Sequence, residues 1–484
     1  MRCRLSLLCG LLVALALVAA GCGGSQTGSS SASGAQFVRA DALAFVSVNT
    51  DFGSSQWKQL DTLSKKFPAR DQAIQSIEQG IAGRGLDFAN DIKPALGPEV
   101  DLVVASGATP GDITGAGLTK PSDGSKFEKL VEKENQTDPS SKSVFRKLSD
   151  GWYVIGNSQA DIDKVLASGG DKTLADESLY TDAVAKQPSE TLANAYVNGP
   201  ELGKLLTSAM QSGGNGLSDS STGGLDKLDF VSASLSAESN GVRAHGAVQG
   251  EGVNELLGSG DYTSKLIGET PSDAFAFLSF KGGKNLGSGL SQLSVPFESA
   301  LGVPLQDVLD LFTNENALYV RPGAVIPEIV AILQPDATAK GMATLTKIAT
   351  KIAVGPAGAT LSGGAEKTLS FGTQFAIHFG VKDGQIVITN SAAGISGVGS
   401  TDQNLASSPD FIEAAAAAGL PSSTGGLFYL DLKNAIPLIE GFAGLAGQHL
   451  PAEVTGNLQP LRSLLSWSAG SGNSRTFDLF LEIK

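Results

Sequence analysis

The sequence predicts an α+β protein built as two tandem, internally duplicated domains, each a mostly antiparallel sheet with helices packed on one face. Three observations predict it. The stretch Asp41-Ala42-Leu43-Ala44-Phe45-Val46-Ser47-Val48 returns as Asp273-Ala274-Phe275-Ala276-Phe277-Leu278-Ser279-Phe280, with five of eight positions identical. A spacing of 233 residues then relates Ile155-Gly156-Asn157-Ser158 to Ile388-Thr389-Asn390-Ser391, Tyr196-Val197-Asn198 to Tyr429-Leu430-Asp431, and Asn240 to Asn473. One spacing held over so long a stretch is the mark of an internal repeat. Finally, strands do not alternate strictly with helices and several are joined by tight turns, which favours antiparallel pairing.

The elements follow in order. Ala42 to Asn49 is apolar on both faces and reads as a central strand. Ser54 or Ser55 opens a helix carrying Trp57, Leu60, Leu63 and Phe67, stopped by Pro68. Leu286, Leu290, Leu293 and Phe297 repeat that spacing in the second copy. A strand over Val100 to Ala105 is matched by Ala317 to Val320, with Glu99 and Glu315 just ahead of each. A helix around Phe127, Leu130 and Val131 precedes strands near Val144–Leu148 and Trp152–Ile155. In the second copy Phe371, Phe375, Ile377, Phe379 and Val381 mark one strand, and Lys382-Asp383-Gly384-Gln385 turns it into Ile386-Val387-Ile388. The helical pair Ile162 and Val165 recurs as Ile395 and Val398. Each copy closes on a hairpin. Ala244, Gly246 and Val248 alternate with Arg243, His245 and Gln249; Phe477, Leu479 and Leu481 alternate with Asp478 and Glu482. This phase predicts that the apolar set faces inward. The second copy carries an extra Gly-, Ala- and Thr-rich insertion around Gly355 to Ala365, and the boundary between copies is expected near Gly258-Ser259-Gly260.

Ahead of the copies, Arg2 and Arg4 precede an apolar run from Leu5 to Ala20, the pattern of a secretory signal peptide. It ends in Val18-Ala19-Ala20-Gly21-Cys22, which resembles the lipobox of bacterial lipoproteins, with Ala19 where Leu is commonest. That resemblance implies that Cys22 becomes the first mature residue and carries acyl chains such as palmitate. Acyl chains contribute about 0.8 kcal/mol per buried methylene, so a multiply acylated Cys22 holds a protein to a membrane. Gly23 to Gln36 is uncharged and built from small residues, and reads as a flexible tether. The expected organisation is a signal peptide over 1–21, a tether over 22–36, a first repeat over 37–257 and a second over 266–484. The expected location is the outer face of the cytoplasmic membrane.

The chain has 484 residues and three cysteines, Cys3, Cys9 and Cys22. Two leave with the leader and the third is the lipidation site, so no disulfide is expected. Without Arg2 and Arg4 there remain 33 basic and 49 acidic residues, a net charge of −16. Such a body disfavours nucleic acid.

The lipobox, the polar linker, the strand Ala40-Asp41-Ala42-Leu43-Ala44-Phe45-Val46-Ser47-Val48, Trp57 and Lys66-Phe67-Pro68 together resemble exported bacterial proteins of domain of unknown function 3352. The resemblance covers most of the mature chain. It implies a surface lipoprotein and carries over no functional residue.

Chemistry is scarce. Of three histidines, His245 and His378 fall on the polar phase of strands, and His449 lies in a Gly-rich stretch; all three read as solvated side chains. None has a partner at metal-ligand spacing, and no nucleophile elbow, phosphate loop or dinucleotide fingerprint is present. Asp41 with Asp273, and Asn157-Ser158 with Asn390-Ser391, recur in both copies and read as strand openers and helix caps. No cofactor, metal or catalytic residue is expected. The expected function is a non-enzymatic binding or carrier role, with the ligand in the groove between the repeats. The alternatives are an interaction scaffold for another envelope protein and a carboxylate-dependent hydrolase. A large apolar cavity would favour the carrier, a flat exposed apolar patch the scaffold, and converging buried carboxylates the hydrolase.

Overall fold

The computed structural model describes residues 33–107, 112–140, 142–212, 224–253, 260–282, 294–323, 326–355, 358–373, 375–400, 403–445, 447 and 450–484. The leader, Cys22, the expected boundary at Gly258, the helical leucines Leu286, Leu290 and Leu293, and His449 lie outside them. The first unit contributes strands β1 (Ala44–Asn49), β2 (Glu99–Ser106), β3 (Ile113–Thr119), β4 (Val144–Lys147), β5 (Tyr153–Gly156), β6 (Ala193–Asn198), β7 (Leu228–Glu238) and β8 (Gly241–Gly250). The second contributes β9 (Ala276–Lys281), β10 (Glu315–Arg321), β11 (Glu328–Leu333), β12 (Thr360–Ser362), β13 (Lys367–Phe371), β14 (Phe375–Lys382), β15 (Gln385–Thr389), β16 (Gly426–Asp431), β17 (Leu461–Ser471) and β18 (Ser474–Ile483). Helices of seven residues or more are α1 (Ser55–Ser64), α2 (Arg70–Gly83), α3 (Gly124–Thr137), α4 (Gln159–Val165), α5 (Ser178–Ala185), α6 (Gly199–Ser212), α7 (Ser294–Leu301), α8 (Thr338–Ala353), α9 (Pro409–Ala418), α10 (Leu432–Leu445) and α11 (Ala452–Leu458).

All eighteen strands join one antiparallel sheet. Its first half runs β4-β5-β3-β2-β1-β6-β7-β8. β8 then pairs with β18, and the second half runs β18-β17-β16-β9-β10-β11-β15-β14-β13-β12. Outward from the β8–β18 seam the two halves present the same strands in the same order, and the second half adds β12 and β13 at its far end. The α+β class with an antiparallel sheet is thus the observed one. The seam is close-packed. At Gly241 a Cβ would collide with the Leu481 carbonyl and the Phe480 ring.

Local chemistry explains most elements. Trp57 and Leu63 are buried on α1, and the Trp57 indole N–H donates to the Asn49 carbonyl at 2.8 Å, tying helix to strand. Asp123 caps α3 by accepting from the Ser125 and Lys126 amides. Ser158 caps α4 by accepting the Asp161 amide, and its hydroxyl donates to the Asp161 carboxylate. Asp383 and Gly384 both take positive φ between the paired Lys382 and Gln385, as a two-residue hairpin requires. Ile162, Val165, Ile395 and Val398 are all buried, as their shared spacing predicts.

Four features differ from expectation. Helices pack on both faces of the sheet, not on one. The neighbours Tyr153 and Val154 point to opposite faces. Val154 sits in a core with Ile162 of α4 and Tyr180 of α5, while Tyr153 packs on Phe127 and Val131 of α3. Second, the tether stops short of Gln36: Ser33–Phe37 is a 3-10 helix, and Ala35 is fully buried in the first unit's core. Small residues there serve close packing. Third, β3 and β11 were not anticipated. β3 is Gly- and Ala-rich and lacks an alternating pattern, whereas β11, Glu328-Ile329-Val330-Ala331-Ile332-Leu333, is a continuous apolar run. Fourth, Phe371 ends β13, and Phe375 begins the separate strand β14; the insertion forms the β12–β13 hairpin.

Each unit owns a large core, one centred on Phe45, Val103, Tyr180 and Tyr196, the other on Phe277, Tyr319, Tyr429 and Phe480. A third core is shared: Phe52, Trp57 and Leu63 of the first unit pack with Ile483 of the second, against Leu461 and Leu481.

Candidate binding face

In a half-buried strand the apolar residues ordinarily face the core and the small polar ones face water. Several central strands here do the reverse. On β7, Ser232, Ser234 and Ser236 are buried, while Ala233 and Leu235 are exposed. On β9, Ser279 is fully buried and its neighbour Leu278 is 36% exposed. Leu318 on β10, Ile329 on β11 and Leu479 on β18 are likewise exposed, at 39%, 47% and 40%. The phase read from the closing hairpins is therefore inverted. Leu479 faces out, whereas Glu482 is buried, and Arg243, His245 and Asp478 are largely buried.

Register places the exposed leucines in one line. Leu235 pairs with Ala244, Ala244 with Leu479, and Leu479 with Ser466. Ser466 pairs with Phe428, Phe428 with Leu278, Leu278 with Leu318, and Leu318 with Ala331. Directly paired residues share a face, so the row crosses both units and the seam without interruption. The flanking rows, through Ala233 and through Ala237, follow the same registers. Across the three rows from β7 to β11 no position carries a charge. Helices bound the open stretch on this face: α3 over Phe145 and Tyr153, α8 over Leu369 and Phe379, and α1 beside Ala237 and Leu481.

This arrangement is costly in isolation. Leaving a leucine side chain exposed forgoes roughly 1.5–3 kcal/mol relative to burying it. Burying a hydroxyl without a partner costs about 1–3 kcal/mol, and the buried Ser234 hydroxyl has none. Exposed apolar patches of this continuity mark interaction surfaces.

The recurrent polar residues have structural roles. Asp41 pairs with Arg39 at 2.6 Å, and Asp273 lies 3.8 Å from Arg321. Asn390 receives the Ile329 amide and donates to the Pro327 carbonyl. Asn198 and Asp431 cap the helices that follow them, receiving the Glu201 and Asn434 amides. His245 is not a solvated side chain: its Nδ1 is 3.1 Å from Asp478 and largely buried. His378 Nδ1 lies 3.1 Å from the Thr368 hydroxyl.

A converging pair of carboxylates does exist. Glu99 and Asp101 lie at the start of β2, Asp101 fully buried beside Ser47. Burial, then the charge of Glu99, raises the Asp101 carboxyl well above its ordinary range. Gly34 closes over Asp101: a Cβ there would collide with the Asp101 carboxyl and the Trp152 ring, while Glu99 is half-buried and accepts the Gly34 amide at 3.3 Å. The second unit has Ala317 in place of Asp101. There Glu315 alone receives the Ser264 and Ser279 hydroxyls and the Lys265 and Leu266 amides. The recurrence of Glu99 and Glu315 thus marks an anchor for the 3-10 helix before each first strand.

Two described cavities each belong to one unit. One, of about 20 Å³, is lined by Phe45, Tyr180, Gln187 and Tyr196 and has room for a single water. The other, of about 300 Å³, is polar and lies among Asp307, Asp310, Asp336 and Lys340. Among the described residues no group of three or more His, Cys, Asp or Glu is placed to hold a metal, and no helix is long and apolar enough to cross a membrane.

A family model described as "Protein of unknown function (DUF3352)" matches residues 5–141 and 124–483. The chain belongs to that family. No curated protein matches. Two solved chains match. One of them, titled "Structure of crystal form IV of TP0453", is 9% identical with a TM-score of 0.23, covering 43% of this chain and 76% of that one.

Proposed function

We propose that this member of the DUF3352 family is an exported cell-envelope protein, anchored through an acylated Cys22 to the outer face of the cytoplasmic membrane. Its role is non-enzymatic binding, and the ligand lies on the open apolar face that runs through Leu235, Leu479, Leu278 and Leu318 across both units. The observation that carries this reading is the inverted polarity of β7 and β9, where serines are buried and leucines exposed. The reading needs neither cofactor nor metal. The anchor rests on the lipobox alone, and the folded Ser33–Phe37 segment leaves residues 23–32 as its tether. An exposed apolar patch, rather than a large apolar cavity, is the feature a scaffold would show, so a protein partner is the competing occupant.

Two measurements test it. Cys22→Ser abolishes acyl labelling and moves the protein from the membrane fraction to the soluble one; unchanged fractionation places the anchor elsewhere. Nile red, a neutral apolar dye, binds the purified protein, and Leu278→Arg with Leu479→Arg removes most of that binding while the fold is kept. Dye binding indifferent to both charges overturns the face as the site.

A further inference from the structure

We propose that the occupant of the open face is the acyl chains of a neutral or zwitterionic membrane lipid, laid across the strands. This rests on the reading of that face as the binding surface.

The chemistry of the row argues for hydrocarbon. Leu235, Leu479, Leu278 and Leu318 supply it, with Ala244 and Ala331 between and beyond them. Cores of protein interfaces are enriched in Tyr, Trp, Phe, Met and Arg, and of these the row has Phe428 alone. With no charge in three rows there is no counter-ion for a carboxylate, which excludes a fatty-acid anion lying on the row. A body of net charge −16 adds repulsion against anionic headgroups. The same charge opposes a second copy, since two such bodies repel as the faces approach.

Dimensions and location agree. From β7 to β11 the face crosses eight strands, about 34 Å at the usual strand spacing. One leaflet of a bilayer accommodates a chain within about 15 Å, so the face seats two chains end to end. The folded body begins at Ser33. Ten residues separate Ser33 from Cys22, so an acylated Cys22 would keep the face beside the bilayer that supplies the lipid.

The test uses the full chain bearing Cys22→Ser, so that anchoring does not mimic binding. The protein is incubated with dioleoylphosphatidylcholine vesicles carrying pyrene-labelled phosphatidylcholine, the vesicles are floated away, and label retained by the protein is read. The expected result is stoichiometric retention. It falls about tenfold or more with Leu278→Arg and Leu479→Arg, because a charge set against hydrocarbon costs several kcal/mol. Ile412→Arg, on an exposed position of α9, leaves it unchanged. Should the arginine pair unfold the protein, Leu278→Gln with Leu479→Gln replaces it. Vesicles of dioleoylphosphatidylglycerol give weaker retention, and equal or stronger retention overturns the argument from charge. No retained lipid alongside intact Nile red binding refutes the acyl-chain occupant while the face stands. Retention indifferent to every substitution refutes both. A concentration-dependent dimer dissolved by Leu278→Arg assigns the face to a second copy instead.

Discussion

His245 and Asp478 occupy the same position in the two units, 233 residues apart, and they face each other across the seam that joins those units. The imidazole Nδ1 and a carboxylate oxygen approach to 3.1 Å. Arg243 reaches the same carboxylate at 3.5 Å, pairs with Glu238, donates to the Ala418 carbonyl, and lies over the rings of Trp467 and Phe480. The local two-fold axis therefore passes through a charged cluster to which each unit contributes a different side chain.

Removing Asp478 leaves Arg243 and His245 largely buried without their shared acceptor. Asp478→Ala is expected to cost roughly 1.5–3 kcal/mol, the range for hydrogen bonds to charged groups. Replacing the pair together, Arg243→Met with Asp478→Leu, should recover much of that loss, since an apolar pair avoids the desolvation of both charges. Urea unfolding of Asp478→Leu, Arg243→Met and the double variant checks this; a double loss equal to the sum of the two single losses would show that the contact contributes no coupling.

The seam also predicts how the halves behave when separated. A fragment ending near residue 253 leaves β8 as an open edge and uncovers Phe52 and Trp57 where Ile483 packs. Fragments 33–253 and 260–484 made separately should unfold at lower urea concentration than the intact chain or aggregate, and when co-expressed should purify as a one-to-one complex. Two monomeric fragments as stable as the whole would show the seam to be incidental.

The buried Asp101 sets a pH dependence. The folded Asp101 carboxyl binds its proton more tightly than in the unfolded chain, chiefly through burial. Below the ordinary value of 3.8 both states are protonated and the site is neutral to stability. As pH rises through the interval up to the folded value, the unfolded chain ionises first, so stability falls. Asp101→Asn removes this slope. Its stability relative to the parent should rise as the pH climbs above 3.8 in urea titrations, and parallel curves would contradict a protonated Asp101.

Much of the framework was legible in the sequence. The recurring opening strands, the Asp383-Gly384 turn, the buried Ile162 and Ile395 pairs and the cap at Ser158 all follow from local rules. The binding face did not. Its signal was present in the alternation of Ser232-Ala233-Ser234-Leu235-Ser236, but alternation fixes only that two faces differ. Which one is buried depends on the helices and neighbouring strands that cover it, and these come from distant parts of the chain. The same blindness assigned His245 to water. The acid pair was hidden for another reason: Gly34, Glu99 and Asp101 meet only because the segment read as tether folds onto β2.

Cysteine protection in the envelope tests the central claim most directly. If the leader is removed and Cys22 acylated as proposed, Cys3 and Cys9 are lost and no other thiol remains, so single cysteines introduced at Leu278, Leu479 and Ile412 report one position each. All three parent side chains are exposed, at 36%, 40% and 53%. If the open face is occupied in its native setting, a membrane-impermeant maleimide given access to that surface labels Ile412→Cys and spares Leu278→Cys and Leu479→Cys until detergent is added. Equal labelling of all three before detergent would mean that the face is bare, and the binding role assigned to it would fall.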